Sequence, residues 1–172
     1  MSLRIYDPRV LAIDLRFRRS GFAIFEGPKR LLDFGSTPVK AGQLDSAGNS
    51  LSELLKLSLP AVIVIKKQRW EKMLNDPRAK PIVEALTSGA GLNRIQIQLL
   101  DEDAICYAFR NLGCETKSEI SGALARIFPE LAWHVPPTRR PWDPEHSRQK
   151  VFDAIALGLA YWQHETSNTG KH

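Results

Sequence analysis

The segment from Val10 to Phe25, VLAIDLRFRRSGFAIF, constrains the fold of this chain more than any other. Its two apolar runs have the length and residue types of buried β-strands, and the short basic connection between them is typical of a hairpin. We therefore predict strands over 9–14 and 21–26. An acid, Asp14, stands at the end of the first strand beside three arginines. A carboxylate in that position indicates a functional site as well as a packing unit.

Turn signals and apolar periodicity predict the next elements. A third strand over 30–37 returns antiparallel to the second and completes a three-strand meander. The polar residues 38–49 predict a loop, and Ser50 is the expected N-cap of a helix over 51–59. The apolar run 61–65, AVIVI, has the β-branched residues of a strand that is covered on both faces.

The second half of the chain alternates between helices and strands. Residues 66–75 are expected to leave the sheet as a basic and aromatic connection. The remaining predicted elements are a helix over 77–88 closed by Gly89 and Gly91, a strand over 95–100, a helix over 104–112, a helix to residue 128 capped by Thr116, and a last helix from Asp143 and Pro144 to about His164.

This order predicts an α/β fold. A meander followed by strands that alternate with helices gives a five-stranded mixed sheet, with a three-strand antiparallel meander plus two parallel strands, flanked by helices. We expect residues 1–165 to form a single domain and residues 166–172 to be a disordered tail.

Composition excludes several classes of protein. Apolar residues make up 43% of the chain and charged residues 25%, as in soluble globular proteins. Two cysteines, Cys106 and Cys114, without a His or Cys cluster predict neither a disulfide framework nor a zinc site, so we expect a cytoplasmic protein. No signal peptide or membrane partner is expected, because no apolar run reaches the length of a membrane span. The net charge of +5 is a weak indication of an anionic partner.

Acidic residues follow two strands and interrupt one apolar helix. Asp14 ends the first strand, Asp101, Glu102 and Asp103 follow the fifth, and Asp153 lies in the last helix. Where parallel strands are neighbours, their carboxyl ends meet at one edge of the sheet, and ligand sites of open α/β sheets lie at that edge. Three carboxylates brought together there would need a divalent cation, and oxygen ligands suit Mg²⁺ or Mn²⁺.

Each acid also has a purely structural interpretation. Asp14 could pair with Arg16 or Arg18 in the basic turn. The acids after the fifth strand are favoured in the first turn of a helix by the helix macrodipole. Asp153 could form a buried salt bridge with a strand arginine. The residues alone leave both interpretations open.

Four segments together resemble the RuvC-type Holliday-junction resolvases of the RNase H-like nuclease superfamily. They are the first hairpin with Asp14 and Gly21, AVIVI in the place of the fourth strand, GCETKSEISGAL, and FDAIALGLAYW with its Asp-Ala-x-Ala core. The resemblance spans most of the chain and implies an RNase H-like domain that hydrolyses phosphodiester bonds in structured nucleic acid, such as four-way junctions. It also implies Mg²⁺ or Mn²⁺ as cofactor, a role in DNA repair and recombination, and a homodimer.

The chain departs from the resolvase pattern at two metal positions. Lys66 and Lys67 stand where the resolvases carry a Glu at the end of the fourth strand. Lys150 stands three positions before the helix acid, where a second metal-binding residue is common. Only Asp14 and Asp153 therefore carry over directly from the resemblance.

A related branch, the YqgF-like proteins, supplies the third carboxylate of the predicted site. It has an Asp-Glu pair after the fifth strand, which Asp101 and Glu102 resemble. His146 lies seven residues before Asp153 and is a further candidate ligand. The predicted catalytic residues are Asp14, Glu102 and Asp153, and the predicted metal ligands are these three with Asp101 and His146.

Basic residues and tryptophans fall in predicted loops or at the ends of elements. Trp70 and Trp142 lie beside basic stretches, and Arg or Lys with aromatic neighbours suits phosphate contact and base stacking. A solvated basic surface with packed tryptophans is the structural alternative. The predicted nucleic-acid-binding residues are Arg16, Arg18, Arg19, Lys66, Lys67, Arg69, Lys117, Arg139 and Arg140.

Three functions are consistent with these residues. The first is a metal-dependent nuclease that acts on structured nucleic acid, and we expect DNA rather than RNA. The second is a catalytically degenerate nucleic-acid-binding relative with the same fold. The third is a protein-interaction module without nucleic acid.

Overall fold

The computed structural model describes residues 7–38, 44–138 and 140–170. Its strands form one five-stranded sheet in the order β3-β2-β1-β4-β5. The β1–β2 and β2–β3 pairs are antiparallel, and the β1–β4 and β4–β5 pairs are parallel, so the predicted mixed sheet is confirmed. The strands are β1 (Arg9–Asp14), β2 (Arg19–Glu26), β3 (Leu31–Pro38), β4 (Val62–Lys66) and β5 (Gln96–Leu100).

Helices pack on both faces of this sheet. Short 3₁₀ segments at Pro77–Ala79 and Pro129–His134 connect some of them. No helix in the described ranges is long and apolar enough to cross a membrane. The helices are α1 (Leu44–Ser58), α2 (Lys67–Leu74), α3 (Lys80–Leu92), α4 (Glu102–Arg110), α5 (Lys117–Ile127) and α6 (Gln149–Thr169).

The alternation of side chains along β1 divides the core into two layers. Val10 and Ala12 point to the side of α4, α5 and α6, whereas Leu11 and Ile13 point to the side of α1, α2 and α3. The interior strand β4 is buried on both faces, as its continuous apolar run predicts. Its parallel pairing with β1 places the carboxyl ends of both strands at the same edge of the sheet.

Two predicted loops contain helices. The helix α1 begins at Leu44, so Ser50 lies inside the helix and the prediction of Ser50 as N-cap is wrong. The predicted connection over 66–75 contains α2, because Trp70 and Met73 are three residues apart and bury the same helical face in the core. The charged residues of that segment obscure this short apolar stripe.

Helix ends also differ from the prediction. Asp76 caps the 3₁₀ turn rather than α3, and α3 runs through Gly89 and Gly91 to Leu92. The last helix begins at Gln149 instead of Pro144, because the Asp143 carboxylate accepts a hydrogen bond from the Arg140 backbone in the preceding turn. It continues to Thr169, so residues 166–169 of the predicted tail are helical. The capping box of Thr116 and Glu119 at the start of α5 is confirmed.

Candidate functional site

The parallel strands bring the predicted acids to one edge of the sheet. Ile13 pairs with Ile65, and Lys66 pairs with Leu100, so Asp14, Lys66 and the residues after Leu100 lie at the same edge. The side chain of Asp14 is buried, with 5% of the residue exposed. A buried carboxylate needs compensation from charge or hydrogen bonds, and the neighbouring residues supply it.

A close approach between β2 and α6 places Asp153 beside Asp14. Gly21 pairs with Asp14 across the β1–β2 ladder, and the backbone of Lys150 and Val151 packs directly against the Gly21 Cα. No Cβ fits between these two backbones. The first turn of α6 therefore lies close to the β1–β2 hairpin, with Asp153 facing the sheet edge.

The guanidinium of Arg16 contacts three carboxylates. Its Nε donates to Asp14 Oδ2 over 2.6 Å, and its Nη2 donates to Asp153 Oδ2 over 3.0 Å. Its Nη1 donates to Glu145 Oε1 over 2.6 Å. Charge-assisted bonds of this length are the strong ones, and Arg presents its donors in a rigid plane that suits several acceptors at once.

A second cation, Lys117, joins the same cluster from the first turn of α5. Its Nζ lies 3.2 Å from Glu145 Oε2 and 3.2 Å from Asp153 Oδ2. The Gln149 side chain, one turn before Asp153, donates its Nε2 proton to Asp153 Oδ1 over 2.9 Å. Both oxygens of Asp153 and of Glu145 therefore have protein donors.

Beside this cluster is a cleft of about 100 Å³. Glu102 and Lys66 form an ion pair on its wall, and Arg69 reaches it from α2. Apolar side chains of α4, α5 and α6 complete the lining. The charged residues that line the cleft are Asp14, Lys66, Arg69, Glu102, Lys117 and Asp153.

Burial and ion pairing shift the pKa values of these groups in opposite directions. Burial raises the pKa of the Asp14 carboxyl, although the Arg16 charge and hydrogen bond oppose this. Burial also acts on Glu145, but the hydrogen bonds and charges of Arg16 and Lys117 outweigh it and hold the pKa of Glu145 below its ordinary value. Burial, with the charges of Arg16 and Arg19, lowers the pKa of Lys150.

The arrangement of these side chains does not fit a bound divalent cation. Among the described residues, no group of three or more His, Cys, Asp and Glu side chains has an arrangement that could hold a metal ion. The acids are present, but Arg16 and Lys117 already neutralise two of the three charges of Asp14, Glu145 and Asp153. A metal ion would have to displace the guanidinium in order to reach these oxygens.

The structure brings together three of the five predicted metal ligands. Asp14, Glu102 and Asp153 line one cleft, whereas Asp101 caps α4 by accepting a hydrogen bond from the Ala104 backbone. His146 accepts a hydrogen bond from the Arg148 backbone and lines a separate pocket. The structural interpretation of Asp14 as a partner of Arg16 describes the observed contact. Asp153 also pairs with an arginine, but it is partly exposed rather than buried, and its partner Arg16 lies in the β1–β2 turn rather than in a strand.

Glu145 is the member of the cluster that the sequence analysis missed. It lies in the proline-rich connection before α6. Asp143 and Pro144 predict a helix start there, so Glu145 reads as an ordinary acid in a first helical turn. Only the tertiary structure places this connection over Arg16 and Lys117. Its position eight residues before Asp153 gave no local signal.

The predicted nucleic-acid-binding residues divide into two groups. Arg16, Lys66 and Lys117 are bound to acids within the site. Arg139 lies outside the described residues. The remaining residues are Arg18, Arg19, Lys67, Arg69 and Arg140. Arg140 lies in the connection before α6, and the other four lie near the site edge of the sheet. None of the five forms an ion pair with an acid in the described part of the chain.

The two tryptophans in basic stretches have different environments. Trp70 is 9% exposed and packs in the core, as the structural alternative predicts. Trp142 is 75% exposed, and the Arg140 guanidinium lies 5.9 Å from the centre of its ring. Of these two tryptophans, Trp142 is therefore the one accessible for base stacking.

Comparisons with known proteins find similarity in structure but none in sequence. No protein-family model matches the sequence, and no curated protein matches it. The chain is similar to the structure of RuvC from Thermus thermophilus in complex with a Holliday junction substrate, with 15% identity and a TM-score of 0.65 over 92% of this chain and 96% of RuvC. It is also similar to the Fowlpox virus resolvase in complex with Holliday junction DNA, with 12% identity and a TM-score of 0.52 over 91% of this chain and 98% of the resolvase. The protein therefore has a RuvC-like fold of the RNase H-like type.

Proposed function

We propose that this protein binds branched DNA at the carboxyl edge of its sheet, without a resident metal ion. One observation carries the proposal: basic side chains that form no ion pair with a described acid lie at the same sheet edge as the cleft. Arg69 lines the cleft itself, and the others come from the β1–β2 turn, the start of β2, the start of α2 and the first turn of α6; the five are Arg18, Arg19, Lys67, Arg69 and Lys150.

The paired and unpaired cations have different roles in this proposal. Arg16, Lys66 and Lys117 are held by acids, so they shape the cleft rather than attract a polyanion. The unpaired cations around it are available to DNA phosphates, whose neutralisation releases counterions and drives binding at low salt. The fold thus presents an inner cluster in which three cations offset all but one of four carboxylate charges, with further basic residues around it.

The structural relatives favour branched DNA as the ligand. Both the Thermus thermophilus RuvC structure and the Fowlpox virus resolvase structure contain a Holliday junction. The similarity covers more than nine-tenths of this chain in each case. A chain with the same fold and with basic residues at the carboxyl edge of its sheet is suited to the same kind of DNA.

Fluorescence anisotropy tests this proposal directly. A labelled four-way junction, a linear duplex, a single strand and an RNA–DNA hybrid are titrated with protein in EDTA at several salt concentrations. We expect the junction to bind most tightly and its affinity to fall as salt rises. Absence of salt-dependent binding to all four ligands would reject the proposal and leave the protein-interaction module as the explanation.

A metal-dependent nuclease is the second candidate function, and a separate observation favours it. Four carboxylates, from Asp14, Glu102, Glu145 and Asp153, converge on one cleft and its border. Cleavage of the junction is assayed in Mg²⁺ and in Mn²⁺ with the wild type, Asp14→Asn and Asp153→Asn. Asp103→Asn, an exposed acid in the first turn of α4, is the matched control.

The two candidates give different results in that assay. Cleavage that is lost in both site variants and kept in the control would establish the nuclease. Junction binding without cleavage by the wild type would establish the binding protein.

A further inference from the structure

Arg16 occupies the centre of the acidic cluster in which a cation would be held. Three of its nitrogens contact three different carboxylates, on β1, in the connection before α6, and in α6. The Arg16 side chain is only 24% exposed and that of Asp14 only 7%. The Arg16 guanidinium therefore connects β1, the segment before α6 and α6 itself.

This guanidinium also uses the oxygens that a metal ion would need. It binds one oxygen of each carboxylate, while Lys117 and Gln149 bind the second oxygens of Glu145 and Asp153. A carboxylate that binds a divalent cation needs a free oxygen that faces the ion, with room for the water molecules that Mg²⁺ keeps. The donors of Arg16 and its neighbours exclude that arrangement.

Removal of Arg16 would change both charge and space. Glu145 and Asp153 would then keep Lys117 as their direct cationic partner, whereas Asp14 would lose its ion pair within the described residues. The volume vacated by the guanidinium would lie between carboxylates that repel one another. Such a cavity, small and lined by oxygen atoms, suits Mg²⁺ or Mn²⁺.

We propose that Arg16 is a protein-supplied counterion that excludes a divalent cation from the carboxylates of Asp14, Glu145 and Asp153. This inference rests on the proposed function, in which the site has no resident metal. It goes further because it assigns the exclusion to one side chain and identifies a latent divalent-cation site beneath it.

Mn²⁺ binding in the absence of DNA tests the inference. Electron paramagnetic resonance measures free Mn²⁺ during titration of the wild type, Arg16→Ala and Arg16→Gln. We expect both variants to bind one Mn²⁺ at least about tenfold more tightly than the wild type, which corresponds to about 1.4 kcal/mol. Arg16→Lys retains the charge, and we expect it to bind Mn²⁺ as weakly as the wild type.

A double variant identifies the site that Mn²⁺ occupies. Arg16→Ala combined with Asp14→Asn removes a central ligand, so the gain in Mn²⁺ affinity should disappear. Thermal unfolding with and without Mn²⁺ supplies an independent readout, because an ion that binds only the folded state raises the Tm. Arg16→Gln keeps most of the side-chain volume and provides the test if Arg16→Ala does not fold.

Two results would overturn the inference. They are no gain in Mn²⁺ affinity over the wild type in either neutral variant, and a gain that persists in the double variant. Neither of these depends on DNA. If the wild type does not bind the junction but the Mn²⁺ results are as expected, only the proposed function is rejected.

Discussion

The backbone carbonyl of Lys150 lies directly against Gly21, and a Cβ at position 21 would overlap it. Gly21 is the ladder partner of Asp14, and Lys150 is one helical turn before Asp153. This backbone contact therefore sets the distance between the two acids that share Arg16. Because Gly21 has no side chain, α6 can approach β2 closely enough to place Asp153 in the site.

We expect Gly21→Ala to destabilise the protein and to disturb the site. Overlap with the α6 backbone forces a shift of the kind that costs about 1–3 kcal/mol in overpacked cores. Urea denaturation measures the loss, and Gly91→Ala is the matched control, because a Cβ at Gly91 meets no atom within 4 Å. The control should gain up to about 1 kcal/mol from helix propensity. Equal unfolding midpoints for Gly21→Ala and the wild type would contradict this packing argument.

The sequence is sufficient to predict the frame of the site. Because β1, β4 and β5 are parallel neighbours, the acid at the end of β1 and the residues after β5 meet at one edge of the sheet. The apolar pattern of α6 also required a partner for Asp153, and an arginine is that partner. These conclusions depend on local sequence patterns, namely the apolar runs of the strands and the apolar residues around Asp153.

The ion pairs among the site residues could not be predicted from the sequence. Arg16 was a predicted contact for nucleic acid or for Asp14, but its simultaneous contact with Glu145 depends on the path of an irregular connection. Proline-rich segments of this kind have no hydrophobic period from which a position could be inferred. Only the structure reveals that one guanidinium contacts three of the acids at this edge of the sheet.

The pKa of Glu145 predicts how stability depends on pH. Because the folded state holds this pKa below its ordinary value, the ion pair contributes fully at pH above the ordinary carboxyl pKa and is lost as pH falls through the depressed value. Glu145→Gln should therefore lower the free energy of unfolding at pH 7 by about 1 kcal/mol, the upper range for a partly exposed pair. The difference from the wild type should vanish in strong acid.

Urea denaturation of both proteins between pH 7 and pH 3 measures this difference. Glu84→Gln is the control, since Glu84 forms only an exposed pair with Lys80 at 3.9 Å and should show little effect at any pH. A deficit of Glu145→Gln that stays constant down to the lowest pH would show that lost packing, rather than lost charge, is responsible.

Salt dependence should distinguish the basic residues around the cleft from other surface cations. If Arg69 or Lys67 each contacts one phosphate, its substitution by Ala should reduce the slope of log affinity against log salt by about 0.9 for duplex arms. Arg30→Ala is the matched control. Arg30 pairs with Glu26 beside the β2–β3 turn, at the end of the hairpin that lies away from the site. Slopes are measured by anisotropy on the four-way junction, and a reduction in the control as large as in the variants would argue against a defined binding surface.

The two tryptophans of the basic stretches should respond in opposite ways to substitution. Trp142→Ala removes an exposed ring beside Arg140, so we expect unchanged stability and a loss of about 1–3 kcal/mol in binding to a junction or single strand if a base stacks on it. Trp70→Ala opens a cavity in the core and should cost about 3–5 kcal/mol of unfolding free energy. Urea denaturation and anisotropy on both variants separate the two effects. Wild-type DNA affinity in Trp142→Ala would exclude stacking and leave the basic residues alone as the binding determinants.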